Sequence, residues 1–157
     1  MLNREQIAAR IALELQDGES VYLDPAWAAS IKGALAPSVH ILEPASAGQR
    51  VAVDVAVLAV SAVAHNGDFS SGPLACEAKR IIAVLEQHKA DGASRVVEAI
   101  APATGRAHRV ITNLAVFEVT AEGLVMHEVA QGISGRDVQL QSDTPLLAAD
   151  DLRVVHV

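Results

Sequence analysis

A chain of 157 residues, 51% of them hydrophobic and 20% charged, is long enough for one domain with a substantial core and too short for two ordinary ones. Twelve Lys and Arg against nineteen Asp and Glu leave a net charge of −7, and no basic tract is present to follow a phosphate backbone, so nucleic acid is not an expected partner. The single cysteine, Cys76, excludes an internal disulfide and every multi-cysteine zinc pattern.

Aromatic residues make up only 3% of the chain, so Val, Ile, Leu and Ala must fill the core, which favours closely spaced strands and helices. The first residues lack the apolar stretch of a secretory signal. The longest apolar segment, Val51 to Ala64, is interrupted by Asp54 and too short to span a bilayer. A soluble cytoplasmic protein with no membrane contact is expected.

Leu2 to Asp17 reads as an amphipathic helix, with Ile7, Ile11 and Leu15 every four residues. Asn3 is placed to cap it, Gln6 to complete a capping box, Leu2 to staple onto Ile7, and Asp17-Gly18 to stop it. A short strand over Ser20–Leu23 leads to Asp24-Pro25, an N-cap with proline at the first helical position, and a helix over Ala26–Leu35. Val39–Leu42 forms a second short strand before a loop, Glu43 to Gly48.

Val55 to Val60 is apolar at every residue, the pattern of a strand covered on both faces as in a parallel sheet. A polar loop, His65 to Pro73, follows its C-terminal end, where open α/β sheets bind ligands. Leu74–Ala78 is expected as a short helix and Arg80–Leu85 as another buried strand. The last third changes character: Arg109–Thr112, Leu114–Val119 and Leu124–Val129 read as strands, with Ala121-Glu122-Gly123 as a hairpin turn. Ser134 caps a short helix, with Asp137 three residues on, and an extended tail runs from Pro145 to Val157.

The run from Thr104-Gly105 through Arg109-Val110-Ile111-Thr112-Asn113-Leu114-Ala115-Val116-Phe117-Glu118-Val119-Thr120-Ala121-Glu122-Gly123-Leu124 to Glu128-Val129-Ala130-Gln131-Gly132 resembles the B subunit of family I CoA-transferases, the succinyl-CoA:3-oxoacid type. Weaker matches extend the resemblance: Glu14-Leu15-Gln16-Asp17-Gly18, Val53 to Leu58, Asn66-Gly67-Asp68, Ala78 to Ile82, and Asp91-Gly92. It implies a mostly parallel α/β sheet flanked by helices with a C-terminal antiparallel hairpin. It also implies pairing with an A-type subunit, or self-association. In that family a glutamate attacks an acyl-CoA thioester, and the chemistry passes through a glutamyl-CoA thioester. Coenzyme A is then a substrate, and no cofactor is held permanently.

The chain departs from the family in three places. Asp24-Pro25-Ala26-Trp27-Ala28-Ala29-Ser30 stands where a Gly-rich loop follows the first strand, so the amide cradle that needs glycine is missing. Val39-His40-Ile41-Leu42-Glu43-Pro44-Ala45 stands where a Ser-Glu-Asn-Gly run carries the catalytic glutamate. The segments between Gly67-Asp68 and Leu74, and between Glu43 and Val51, are shortened.

Glu43 is the candidate nucleophile, weighed against a solvated loop glutamate. Asn66, Gly67 and Asp68 are candidate substrate or CoA contacts, weighed against a plain turn. Asp24 has two readings, a helix cap or a ligand contact at a strand end, and capping alone explains Asp-Pro. Cys76, among apolar neighbours, reads as an inert buried thiol. The six histidines show no ligand spacing, so no metal site is expected. Three functions follow: a shortened B-type CoA-transferase subunit, a non-catalytic structural or regulatory subunit, and a repurposed lyase or hydrolase of CoA esters.

Overall fold

The computed structural model describes residues 1–43 and 49–157. Its element order is α1 (Arg4–Ala12), β1 (Ser20–Leu23), α2 (Pro25–Lys32), β2 (His40–Ile41), β3 (Val51–Ala59), β4 (Ala62–Ala64), β5 (Asp68–Ser70), β6 (Cys76–Val84), β7 (Val96–Val97), β8 (Gly105–Arg106), β9 (Arg109–Ile111), β10 (Ala115–Thr120), β11 (Gly123–Val129), α3 (Gly135–Leu140) and β12 (Leu147–Val154). Beyond Glu43, the loop expected up to Gly48 lies outside the described residues.

Eight strands form one sheet in the order β12-β11-β10-β9-β6-β3-β1-β2. β1 pairs in parallel with both β2 and β3, β3 with β6, and β6 with β9. Only β10 runs against its neighbours, making the expected C-terminal hairpin with β11, closed by the pair Thr120 and Gly123. Gly123 takes a φ of 127°, which any other residue adopts only with strain.

The alternation along the central strands sorts side chains to two faces. Val21, Leu23, Val55, Val57, Ile82 and Val84 pack beneath α1 and α2, against Ile7, Ile11 and Ile31. Tyr22, Ala56, Leu58 and Ala83 face the other way. There they meet a second sheet, in the order β7-β4-β5-β8, which brings Val63, Phe69 and Val96, and also Val138 of α3. The molecule is thus three layers, with the large sheet in the middle.

Both capping boxes form as expected, Asn3 with Gln6 and Ser134 with Asp137. Other expectations are corrected. α1 ends at Ala12 and the chain turns, placing Leu15 in the core as part of a loop. Leu74–Ala78 is not helical: Cys76 opens β6, whose register with β3 starts at Val51 opposite Cys76, because a long parallel partner outweighs local propensity. The loop from His65 to Pro73 contains β5, a strand of the small sheet. The tail is extended as expected, and it docks as β12, parallel to β11.

One ionic contact locks α1 to the sheet. Arg10, 7% exposed, donates from Nε to both Glu128 carboxylate oxygens at 3.1 Å, and Glu128 is 4% exposed. Glu14 takes the remaining face of Arg10 at 2.9 Å and Arg109 at 3.3 Å. A charge buried this deeply is tolerated because its partner is present, and loss of one partner strands the other. Arg10→Ala or Glu128→Ala is therefore expected to cost about 3–5 kcal/mol in urea unfolding, and Arg10→Met combined with Glu128→Leu to recover most of it. Single variants within about 0.5 kcal/mol of the parent would contradict this.

Candidate functional site

The chain runs from β1 outward to the edge strand β2, then returns to β3 on the other side of β1. The crevice at the C-terminal ends of β1 and β3 is therefore the topological switch point, the ordinary ligand position in an open α/β sheet. A cavity of about 180 Å³ lies there. Tyr22 and Asp24 from the end of β1 and Leu58 and Ala59 from the end of β3 form its floor, and residues 71–75 cover it. Thr104 holds that cover: its Oγ1 accepts from Ser71 N at 3.1 Å and donates to Ser71 O at 3.2 Å.

Asp24 does more than cap α2. Its Oδ1 accepts from Ala26 N at 3.0 Å and its Oδ2 from Ala59 N at 2.9 Å, while its own amide donates to Val57 O at 2.8 Å. One carboxylate thus satisfies an amide at the N-terminus of α2 and another at the end of β3. Amides in this position form an anion site when they are free. Here an internal anion already occupies them.

Two further groups sit close by. Burial, then the neighbouring acidic groups, Asp24 first, push the Tyr22 phenol above its ordinary range. Burial likewise raises the Cys76 thiol, with Arg50 opposing and Asp24 adding to the rise. Arg50 donates to the Cys76 carbonyl at 2.9 Å and pairs with Glu77 at 3.4 Å.

Glu43 lies two residues beyond β2, just after Leu42, whose amide donates to Val21 O and closes the β1–β2 ladder. Its side chain is 74% exposed, with Lys32 Nζ at 3.6 Å. Asn66, Gly67 and Asp68 are elsewhere, in the tight turn between β4 and β5. Asn66 Oδ1 accepts from Asp68 N at 3.0 Å, and Asp68 Oδ1 pairs with Arg106 at 3.2 Å. Gly67 has a φ of 90°, and a Cβ there would stand 2.7 Å from Val119 Cγ1 and 2.9 Å from Ala107 O. The turn is thereby wedged against β10. Four strands separate β10 from β2, roughly 24 Å at the usual strand spacing, so the fold does not bring this turn together with Glu43.

Sequence reasoning missed Tyr22, and it read the cover only in part: residues 71–73 were expected in a polar loop at the ligand-binding end of the sheet, but residues 74 and 75 in a helix. Asp24 was legible as a cap because Asp-Pro is a local signal; its bond to Ala59, 35 positions along, carries none. Among the described residues no group of three His, Cys, Asp or Glu side chains is placed to hold a metal ion, and no helix is long and apolar enough to cross a membrane.

No protein-family model matches the sequence. Among solved structures, the decarboxylase AibA/AibB superposes with a TM-score of 0.75 at 16% identity, over 98% of this chain and 88% of that one. Glutaconate coenzyme A-transferase from Acidaminococcus fermentans gives 0.72 at 13% identity, over 99% and 89%. The acyl-CoA transferase YdiF from Escherichia coli O157:H7 gives 0.76 at 18%, over 99% of this chain and 44% of that longer one. The chain therefore has the mostly parallel, helix-flanked α/β fold of CoA-transferases, as expected.

The environment of Cys76 gives a test. Because the folded state holds the thiol proton more tightly than the unfolded state does, this group's contribution to stability falls as pH rises through the free-thiol range near about 8.5. Alkylation of the folded protein by iodoacetamide at about pH 8 is expected to be at least about tenfold slower than in urea. Equal rates would show an accessible, ionised thiol.

Proposed function

We propose that this chain is a B-type subunit of a CoA-transferase-like assembly, soluble and cytoplasmic, that pairs with an A-type chain and transfers CoA between an acyl-CoA and a carboxylate. Glu43 is the nucleophile. Its carboxylate attacks the thioester carbonyl and expels CoA thiolate, leaving a mixed anhydride. The thiolate then attacks the glutamyl carbonyl and releases the original acyl group as a carboxylate. An incoming carboxylate reverses the two steps and leaves with CoA, freeing Glu43. No cofactor is held permanently, since coenzyme A enters with the substrate.

The observation that carries this reading is the position of Glu43: exposed, just beyond the C-terminal end of β2, the parallel neighbour of β1, whose own C-terminal end forms the switch-point crevice. Two of the neighbours are CoA-transferases by name, and a third bears the double name AibA/AibB. A span of 44% of YdiF fits one half of a two-unit enzyme. Asn66, Gly67 and Asp68 remain candidate contacts for a distant part of the CoA, such as its nucleotide end.

A second reading, a non-catalytic structural subunit, is favoured by Asp24. The amides of Ala26 and Ala59, suited to stabilising an oxyanion, are bonded to it. A transferase built this way needs its oxyanion donors from the partner chain.

The two readings part on one experiment. The protein, alone and with an A-type partner, is incubated with acyl-CoA and weighed intact. An adduct of CoA mass mapped to Glu43, and lost in Glu43→Gln, is expected for the transferase. A stable two-chain complex that never acquires the adduct would overturn catalysis in favour of the structural subunit.

A further inference from the structure

The switch-point cavity carries a statement about which acyl groups could enter it. Its volume of about 180 Å³ is below the roughly 300 Å³ at which pockets for drug-sized ligands begin, which leaves room for a small group only. Leu58, Leu74 and Ala75 give it apolar walls, and its polar groups are Tyr22, Asp24 and Ser71. Among the described residues no Lys, Arg or His lines it.

The nearby cations are committed elsewhere. Lys32 faces Glu43 at 3.6 Å, Arg50 faces Glu77 at 3.4 Å, and Arg4 stacks over the Trp27 ring while donating to Ala26 O and Ser30 Oγ. The one full charge in the wall is the carboxylate of Asp24, fixed in place by two backbone amides. A ligand bearing a second carboxylate at its far end would be desolvated beside a like charge with no compensating cation. A ligand ending in a methyl or methylene group meets apolar walls instead.

Building on the transferase reading above, we infer that this cavity is the acyl-group subsite and that it selects short acyl groups uncharged at their far end, rejecting dicarboxylic ones such as succinyl or glutaryl. Asp24 sets the preference by repulsion while serving the backbone structurally.

The test uses the full chain, isotope-labelled, and free amides as probes, so it needs neither partner nor turnover. Butyramide is the fitting probe. Levulinamide and succinamate form a size-matched pair that differs by a terminal acetyl or carboxylate group. Butyramide is expected to shift the resonances of Tyr22, Leu58 and Leu74, and levulinamide to bind at least about tenfold more tightly than succinamate. Ser71→Arg, on the partly exposed cover, supplies the missing cation and is expected to shift the levulinamide-to-succinamate affinity ratio about tenfold towards succinamate.

Equal affinity for levulinamide and succinamate in the parent protein, or no shift at these residues with any probe, would overturn the proposal. Probe discrimination without a Glu43 adduct would remove the transferase reading and keep the subsite. An adduct without discrimination would do the reverse.

Discussion

Every backbone amide at the end of a strand or the start of a helix needs an acceptor, and the switch point of an open sheet gathers several such amides in one crevice. In this chain Asp24 meets that need with a single carboxylate, taking Ala26 N on one oxygen and Ala59 N on the other. The bond to Ala59 ties the end of β3 to the start of α2. It fixes the floor on which Tyr22 and Leu58 stand, and it places a permanent negative charge in the cavity wall. A Gly-rich loop would leave the amides open to a ligand; an Asp-Pro cap fills them from within. The same residue thus shapes the fold, the electrostatics and the chemistry left to the site.

Much of the resemblance to CoA-transferases is carried by residues whose work is structural. Thr112 Oγ1 accepts from the amides of Leu114 and Ala115 at 3.0 and 3.1 Å, and Asn113 accepts from Gln87 N through its side chain and from Leu2 N through its carbonyl. Gly105 leaves room for Phe69, whose Cζ would be 2.9 Å from an added Cβ. Glu128 holds Arg10 and with it the first helix. A run of this kind specifies a scaffold very well and says little about a reaction. The residues around the switch point, Tyr22, Asp24 and the cover at residues 71–75, and the proposed nucleophile Glu43 come from the half of the chain where the resemblance is thinner.

That division explains what was legible in the sequence. Local signals match the structure: the Asn3 and Ser134 capping boxes, the Asp24-Pro25 helix start, the hairpin at Gly123, and the buried strand within Val51–Ala59. The small sheet has little such signal beyond the Asn66-Gly67 turn that joins β4 to β5: its strands are two or three residues long, and β7 and β8 join it from far along the chain. Leu74–Ala78 is helical by composition, yet β3 offers the adjoining segment a nine-residue parallel partner. Glu43 was legible as a carboxylate just past a strand end; the switch-point cavity is assembled from three separated segments, and no local pattern announces it.

The claim that Asp24 occupies the amides of the switch point is tested most directly by hydrogen exchange at those two amides. In the parent protein Ala26 and Ala59 should exchange slowly, and in Asp24→Ala both should lose protection while Val55 and Val57 within β3 keep theirs. Unchanged protection at Ala26 and Ala59 after that substitution would contradict the account.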